Sequence, residues 1–292
     1  MTGKLSVVAT PIGNLEDITL RALRVLREAE VILAEDTRRT ANLCRHHGIG
    51  APLRSFHAHT PRERVATLVE AMRGGARYAI VSDAGTPLVS DPGAELVRAA
   101  IEAGVTVEAI PGASAPIAAL VASGLAAASF AFVGFLPRGG GRRTRAIQSI
   151  ARFGGATTLF EAPSRVAATL RDLGAILGAD RPAAVCRELT KMHEEIARGS
   201  LSDLAAAFDA REVLGEITIV IGAPAEEPLE EREPVEDATI RRWLDDEELT
   251  TRDAADRLAE LEAIPRKDAY RRVLGLVRSQ ADDDPEDDAQ GR

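Results

Sequence analysis

Two short turns carry the residues best suited to chemistry. They are Ser82-Asp83-Ala84-Gly85-Thr86-Pro87 and Pro111-Gly112-Ala113-Ser114, and each directly follows an apolar run. In an open α/β sheet, ligands bind at the C-terminal ends of the strands. Small side chains let a ligand approach the backbone, and Asp83 adds one fixed negative charge. The pair predicts one shared pocket for a small charged cofactor. A plain structural turn is the other reading of each.

Further candidates lie at other strand ends. The first apolar run closes in Thr10-Pro11-Ile12-Gly13-Asn14-Leu15-Glu16-Asp17, a loop shaped by rigid Pro11 and permissive Gly13. It is not a dinucleotide GxGxxG, and no Walker lysine follows. Glu35-Asp36-Thr37-Arg38 is either a helix N-cap or a pair of acids beside an acceptor, with Asp36 orienting a hydroxyl. Phe160-Glu161-Ala162-Pro163-Ser164-Arg165 and Arg187-Glu188-Leu189-Thr190-Lys191 close two more strands, and Gly215-Glu216-Ile217-Thr218 opens a third. These charges either face a ligand or pair structurally. The stretch Pro137 to Arg145 places Arg138, Arg142, Arg143 and Arg145 on a glycine hinge: a mobile arm for phosphates, or a solvated loop. The histidines show no metal spacing beyond His57-x-His59, so no metal is expected. Cys44 and Cys186 lack any CxxC pattern and read as reduced structural thiols of a cytoplasmic protein.

The elements that must position these residues alternate. β-branched runs at Leu5–Ala9, Val31–Ala34, Ala79–Ser82, Val105–Ile110, Phe130–Phe135, Thr157–Phe160, Ala183–Cys186 and Ile217–Ile221 are mostly separated by helical patterns. This predicts an α/β fold of two lobes with mainly parallel central sheets. One helix is marked by Asp91 as N-cap, Pro92 at its first position and Gly104 at its end. The predicted organisation is an N-terminal lobe over residues 1–115, a second lobe over 116–224, an acidic linker over 225–237, a helix-turn-helix-like unit over 238–278 and a disordered acidic tail over 279–292.

Charge follows that division. The 292 residues carry a net −9, yet residues 1–225 hold 25 basic and 23 acidic side chains, whereas residues 226–292 hold 11 and 22. The acidic isoelectric point therefore says little about what the body binds. No stretch approaches the roughly twenty apolar residues of a membrane span, and the opening residues read as a strand rather than a signal peptide.

The ordered segments TPIGNLEDIT (10–19), AEDTRRT (34–40), SDAGTPLVSDPG (82–93), PGASA (111–115), FEAPSR (160–165), RELTK (187–191) and GEITIVIG (215–222) resemble the 16S ribosomal RNA cytidine 2′-O-methyltransferases of the tetrapyrrole methylase-like family. The resemblance spans about residues 4–278. It implies a bilobal α/β fold, S-adenosyl-L-methionine in the cleft between the lobes, a homodimer, and 16S rRNA of the small ribosomal subunit as substrate. By matching segments, the implied cofactor contacts are Pro11, Asp83, Gly85, Thr86, Val89, Ser114, Ala115, Phe160, Glu188, Leu189 and Thr218. Asp83 is expected to hold the donor's ammonium group. Asp36, Glu188 and Lys191 are the catalytic candidates, Lys191 only if burial lowers its pKa. One departure is Ser164, where the family commonly has histidine. Two other functions fit parts of the pattern, methylation of a small tetrapyrrole-like molecule and non-catalytic RNA binding. The basic arm and the C-terminal helices argue against the first, and a cleft unable to hold the cofactor would mark the second.

Overall fold

The computed structural model describes residues 3–224, 234–246, 249–262 and 264–282. Most of the expected linker and all of the expected tail beyond Asp282 lie outside these residues. The chain divides into two units, Met1–Pro224 and Ala225–Arg292.

The first unit contains two five-stranded sheets. The first sheet is built from β1 (Lys4–Val8), β2 (Val31–Ala34), β3 (Leu53–Ser55), β4 (Arg77–Val81) and β5 (Thr106–Ile110), ordered β3-β2-β4-β1-β5. Every pairing in it is parallel. Helices α1 (Leu20–Glu28) and α2 (Thr37–His46) contribute to one apolar face, through Ala22, Val25, Leu26 and Cys44. Helices α3 (Arg62–Arg73) and α4 (Ala94–Glu102) contribute to the other, through Val65, Leu68, Met72 and Leu96. Burial on both faces explains why these strands read as continuous apolar runs instead of alternating ones.

Strand order brings distant residues together. β1 lies between β4 and β5, so the loops after all three emerge side by side at one edge. Those loops begin at residues 9, 82 and 111.

The second sheet comprises β6 (Phe130–Phe135), β7 (Ala156–Glu161), β8 (Pro182–Arg187), β9 (Glu195–Ser200) and β10 (Ile217–Ile221), ordered β6-β7-β10-β8-β9. It departs from the parallel arrangement expected from sequence. Only β6 and β7 run parallel, and the remaining three pairings are antiparallel. The β8–β9 reversal follows from its connection, because these two strands are joined by a seven-residue turn, 188–194, too short for a parallel crossover. Helices α6 (Gly140–Arg152), α7 (Val166–Leu177) and α8 (Leu201–Asp209) build the core on one face with Ile147, Leu170, Leu173 and Leu201. On the other, α5 (Ala115–Ser123) sets Ala119 and Leu120 against Ala184, Cys186 and Val220. Ile12 from the loop after β1 joins this last cluster and ties the two sheets together.

The basic arm is also corrected. Gly140 to Arg145 are the first turns of α6, and Arg143 is buried. Its guanidinium donates to Asp172 Oδ2 (2.7 Å), Thr169 Oγ1 (2.8 Å) and the Pro137 carbonyl (3.1 Å). Arg143 is therefore a core anchor unavailable to phosphates, while Arg138, Arg142 and Arg145 remain exposed. Arg143→Ala is expected to cost about 2 kcal/mol of stability, since it strands a buried hydroxyl and breaks a partly buried ion pair. Urea unfolding measures this.

The second unit contains α9 (Asp237–Asp245), α10 (Thr251–Glu262) and α11 (Arg266–Asp282) around Ile240, Trp243, Leu258, Ala269 and Val273. The last helix runs past residue 278, where the tail was expected to begin, and includes Ser279 to Asp282. No helix among the described residues is long and apolar enough to cross a membrane.

Candidate active site

The loops after β1, β4 and β5 are strapped to one another by backbone and threonine side-chain hydrogen bonds. Thr10 N–H donates to the Gly85 carbonyl and Gly85 N–H to the Thr10 carbonyl, both at 2.9 Å. Thr10 Oγ1 donates to the Ser82 carbonyl (3.3 Å) and Thr86 Oγ1 to the Ala113 carbonyl (3.1 Å). These ties form one wall of a cleft of about 460 Å³, within the range of small-molecule sites. The second sheet supplies the opposite wall, from the ends of β7 and β8 and the start of β10.

Of the residues expected at the cofactor, Asp83, Gly85, Thr86, Val89, Ser114 and Ala115 line the first wall, and Phe160, Leu189 and Thr218 the second. Pro11 and Glu188 are not among the lining residues. Their two loops pack against each other. A Cβ on Gly13 would lie 2.5 Å from Lys191 Cγ and 2.8 Å from the Leu189 carbonyl, so only glycine permits this approach. Glu188 accepts hydrogen bonds from Lys191 Nζ (2.7 Å) and the Glu216 N–H (2.9 Å), and Lys191 Nζ also reaches Glu216 Oε2 (3.0 Å). This brace holds Leu189 and Glu216 in the wall, with Glu188 and Thr190 at φ 52° and 65°, a strain that such a brace can sustain.

The three catalytic candidates drawn from sequence lie outside the cleft lining. Asp36 caps α2 by accepting from Arg38 N–H (2.9 Å) and pairs with the Arg38 side chain (2.7 Å). Those hydrogen bonds pull its pKa down to about 2, which leaves it a weak base. The condition set for Lys191 also fails. Burial alone would lower its pKa, but hydrogen bonds to Glu188 and Glu216 outweigh that and raise it, so its ammonium stays charged. Glu188 is held below its usual range, chiefly by Lys191.

A different carboxylate enters the cleft. Asp91 does not cap a helix, because α4 begins at Ala94 with Gly93 as its N-cap at φ 122°. Leu88 and Ser90 adopt φ 73° and 70°, and that left-handed stretch turns Asp91 into the lining beside Asp83. Burial raises its pKa, a Ser82 hydrogen bond opposes the rise, and the Asp83 charge adds to it. The repeated Ser-Asp of Ser82-Asp83 and Ser90-Asp91 was the available sequence signal for it. Asp83 is itself oriented, accepting from Asp36 N–H (2.9 Å) with Arg39 Nη1 at 3.7 Å.

Three other lining groups were not among the expected site residues. Phe135 joins Phe160 at 5.5 Å between ring centroids, making an aromatic ledge. Glu161 is buried at the back, where it accepts from Ala162 N–H (2.8 Å) and Thr169 Oγ1 (2.5 Å), so the Arg143 anchor continues to the cleft wall. Cys186 also lines the cleft, but burial pushes its thiol up to about 11, so it is a neutral packing group and not a nucleophile.

The model of the family described as Tetrapyrrole (Corrin/Porphyrin) Methylases matches residues 4–205. The chain belongs to the tetrapyrrole methylase family. Within it, the chain is similar to "Ribosomal RNA small subunit methyltransferase I" of Thermotoga maritima, 46% identical over 75% of this chain and 98% of that protein. The same-named protein of Synechocystis sp. is 44% identical over 94% of this chain and 98% of its own length. Among solved structures, uroporphyrin-III C-methyltransferase from Thermus thermophilus, complexed with S-adenyl homocysteine, superposes with a TM-score of 0.54 at 24% identity, covering 75% of this chain and 97% of that one. The family match thus accounts for residues 4–205 of the first unit, and the cleft is lined by residues in that range and by the start of β10. Its small-residue wall, oriented Asp83 and aromatic ledge suit a nucleoside-bearing amino acid.

Proposed function

We propose that this chain is an S-adenosylmethionine-dependent methyltransferase that acts on the 2′-hydroxyl of a cytidine in 16S rRNA of the small ribosomal subunit. The observation that carries this reading is the strapped three-loop cleft, formed by the segments that resemble rRNA methyltransferases. Relatives of that name, 40–46% identical, support the substrate. S-adenosylmethionine supplies, when bound, an already activated methyl group on a sulfonium.

What the chain's own residues contribute is binding and orientation. Asp83 provides the counter-charge for an ammonium group. Gly85, Thr86, Val89, Ser114 and Ala115 present short side chains and backbone, whereas Phe160, Phe135 and Leu189 offer apolar surface to a flat ring. Thr218 adds a hydroxyl. A ribose hydroxyl is a poor nucleophile at neutral pH, so a group that accepts its proton assists. Asp91, with its raised pKa, takes this role in place of Asp36, Glu188 and Lys191.

A cytoplasmic homodimer fits the same reading. Ile117 and Val121, 45% and 71% exposed, share one face of α5, and Phe130 and Val133 are exposed on the edge strand β6. Apolar surface of this kind suits a second copy of the chain.

The test is transfer of a labelled methyl group to small ribosomal subunits that lack the modification, followed by mapping of the labelled nucleotide. Label on a cytidine ribose of 16S rRNA is expected. Label on a base or on protein, or none with purified chain that binds the donor, would overturn the reading.

A further inference from the structure

The C-terminal unit is acidic overall, yet its charge is sorted. Between Arg266 and Arg278 the sequence has five basic residues and one acidic residue, Asp268. Two of the five are consumed internally. Arg266 pairs with Asp256, and Arg272 bridges Asp237 (2.7 Å), Glu262 (2.7 Å) and the Val235 carbonyl (2.6 Å).

The others point elsewhere. Lys267, Tyr270, Arg271, Leu274 and Arg278 recur at three, four, seven and eleven residues, which places them on one stripe of α11. At about 100° per residue, that stripe lies opposite the buried Ala269, Val273 and Leu276. Lys267, Arg271 and Arg278 are exposed, and Tyr270 is 44% exposed. Among the described residues, Lys267 and Arg278 have no ion-pair partner. Arg271 reaches only Asp268 at 3.3 Å, an exposed pair of small worth.

We propose that this face of α11 grips an irregular or single-stranded segment of rRNA. Lys267, Arg271 and Arg278 lie against phosphates, and Tyr270 stacks on an unpaired base. The inference rests on the rRNA substrate proposed above. Charge complementarity commits the face to a polyanion, and a tyrosine set among cations matches the pairing of stacking with phosphate contact in single-strand binders. The acidic remainder of the unit repels phosphate, so RNA is accepted on this side only. From Lys267 to Arg278 the stripe is about 16 Å long, room for several nucleotides.

The experiment uses the full chain and unmodified small ribosomal subunits, with binding read at several salt concentrations. The variant K267Q/R271Q/R278Q keeps helix-forming side chains at exposed positions. It should bind subunits about tenfold more weakly, and its log–log salt slope should be shallower by about two to three. Its affinity for S-adenosylmethionine and its kcat at saturating subunits should be unchanged. Tyr270→Ala should weaken binding by about tenfold while Tyr270→Phe retains it, because stacking needs the ring and not the hydroxyl. A triple variant with wild-type affinity and slope would overturn the proposal, as would an equal loss in R241Q/R242Q/R252Q, which removes the same charge elsewhere on the unit. So would a triple variant that keeps the RNA slope but loses contact with a subunit protein. Subunit binding needs no turnover, so these slopes decide the role of α11 even if methyl transfer is absent, an outcome that counts only against the catalytic reading.

Discussion

Asp91→Asn is expected to lower kcat for methyl transfer by about 100-fold, the usual contribution of a positioned proton acceptor, with S-adenosylmethionine affinity nearly unchanged. The amide keeps the shape of the carboxyl group but cannot take a proton. The pH profile gives a second readout. Burial and the neighbouring Asp83 charge raise the Asp91 pKa, so the wild-type rate should fall with acid at a pH above the ordinary aspartate range, and that limb should vanish in the variant. The sign for stability is opposite to that for activity. A carboxyl whose folded pKa lies above its unfolded value favours folding only while protonated, and this contribution is lost as pH rises through the folded pKa. At neutral pH the ionised Asp91 is a cost to the fold, so Asp91→Asn should melt no lower than wild type. A variant that melts lower and loses rate in proportion would make Asp91 a structural residue.

Asp83→Ala is expected to weaken S-adenosylmethionine binding by about 100-fold, because it removes the counter-charge for the donor's ammonium from the cleft wall. Calorimetry on the purified chain measures this. Asp83 also accepts the Asp36 N–H at 2.9 Å, so alanine loosens the start of α2 as well. Asp83→Asn separates the two effects, since an amide oxygen still accepts that hydrogen bond but carries no charge. A loss in the asparagine variant close to that in alanine assigns the effect to charge. Wild-type affinity in the asparagine variant would reduce Asp83 to a loop anchor.

These assignments divide by the kind of information each needed. The small-residue turns after β4 and β5 were legible because glycine, alanine and serine at a strand end have few other uses, and nine of the eleven expected contacts line the cleft. Asp91 was misread because Asp-Pro is a common helix start. Only the φ values at Leu88, Ser90 and Gly93 move the helix two residues onward and free the carboxylate. Glu188 and Lys191 looked catalytic because charged residues gather at strand ends, yet their partner Glu216 comes from another strand. Arg143 was indistinguishable in sequence from Arg142 and Arg145.

Residue order alone pointed to eight of the ten described strands, missing the short β3 and the polar β9, and to α/β lobes with Asp83 just past a strand end, because apolar runs, glycines and prolines act through local backbone preferences. Packing settled the rest. The antiparallel course of the second sheet, the burial of Arg143 against Thr169 and Asp172, and the entry of Asp91 into the cleft each depend on partners far along the chain. A side chain's charge is written in its identity, but whether that charge meets solvent, a partner or a substrate depends on what the fold places within a few ångströms of it.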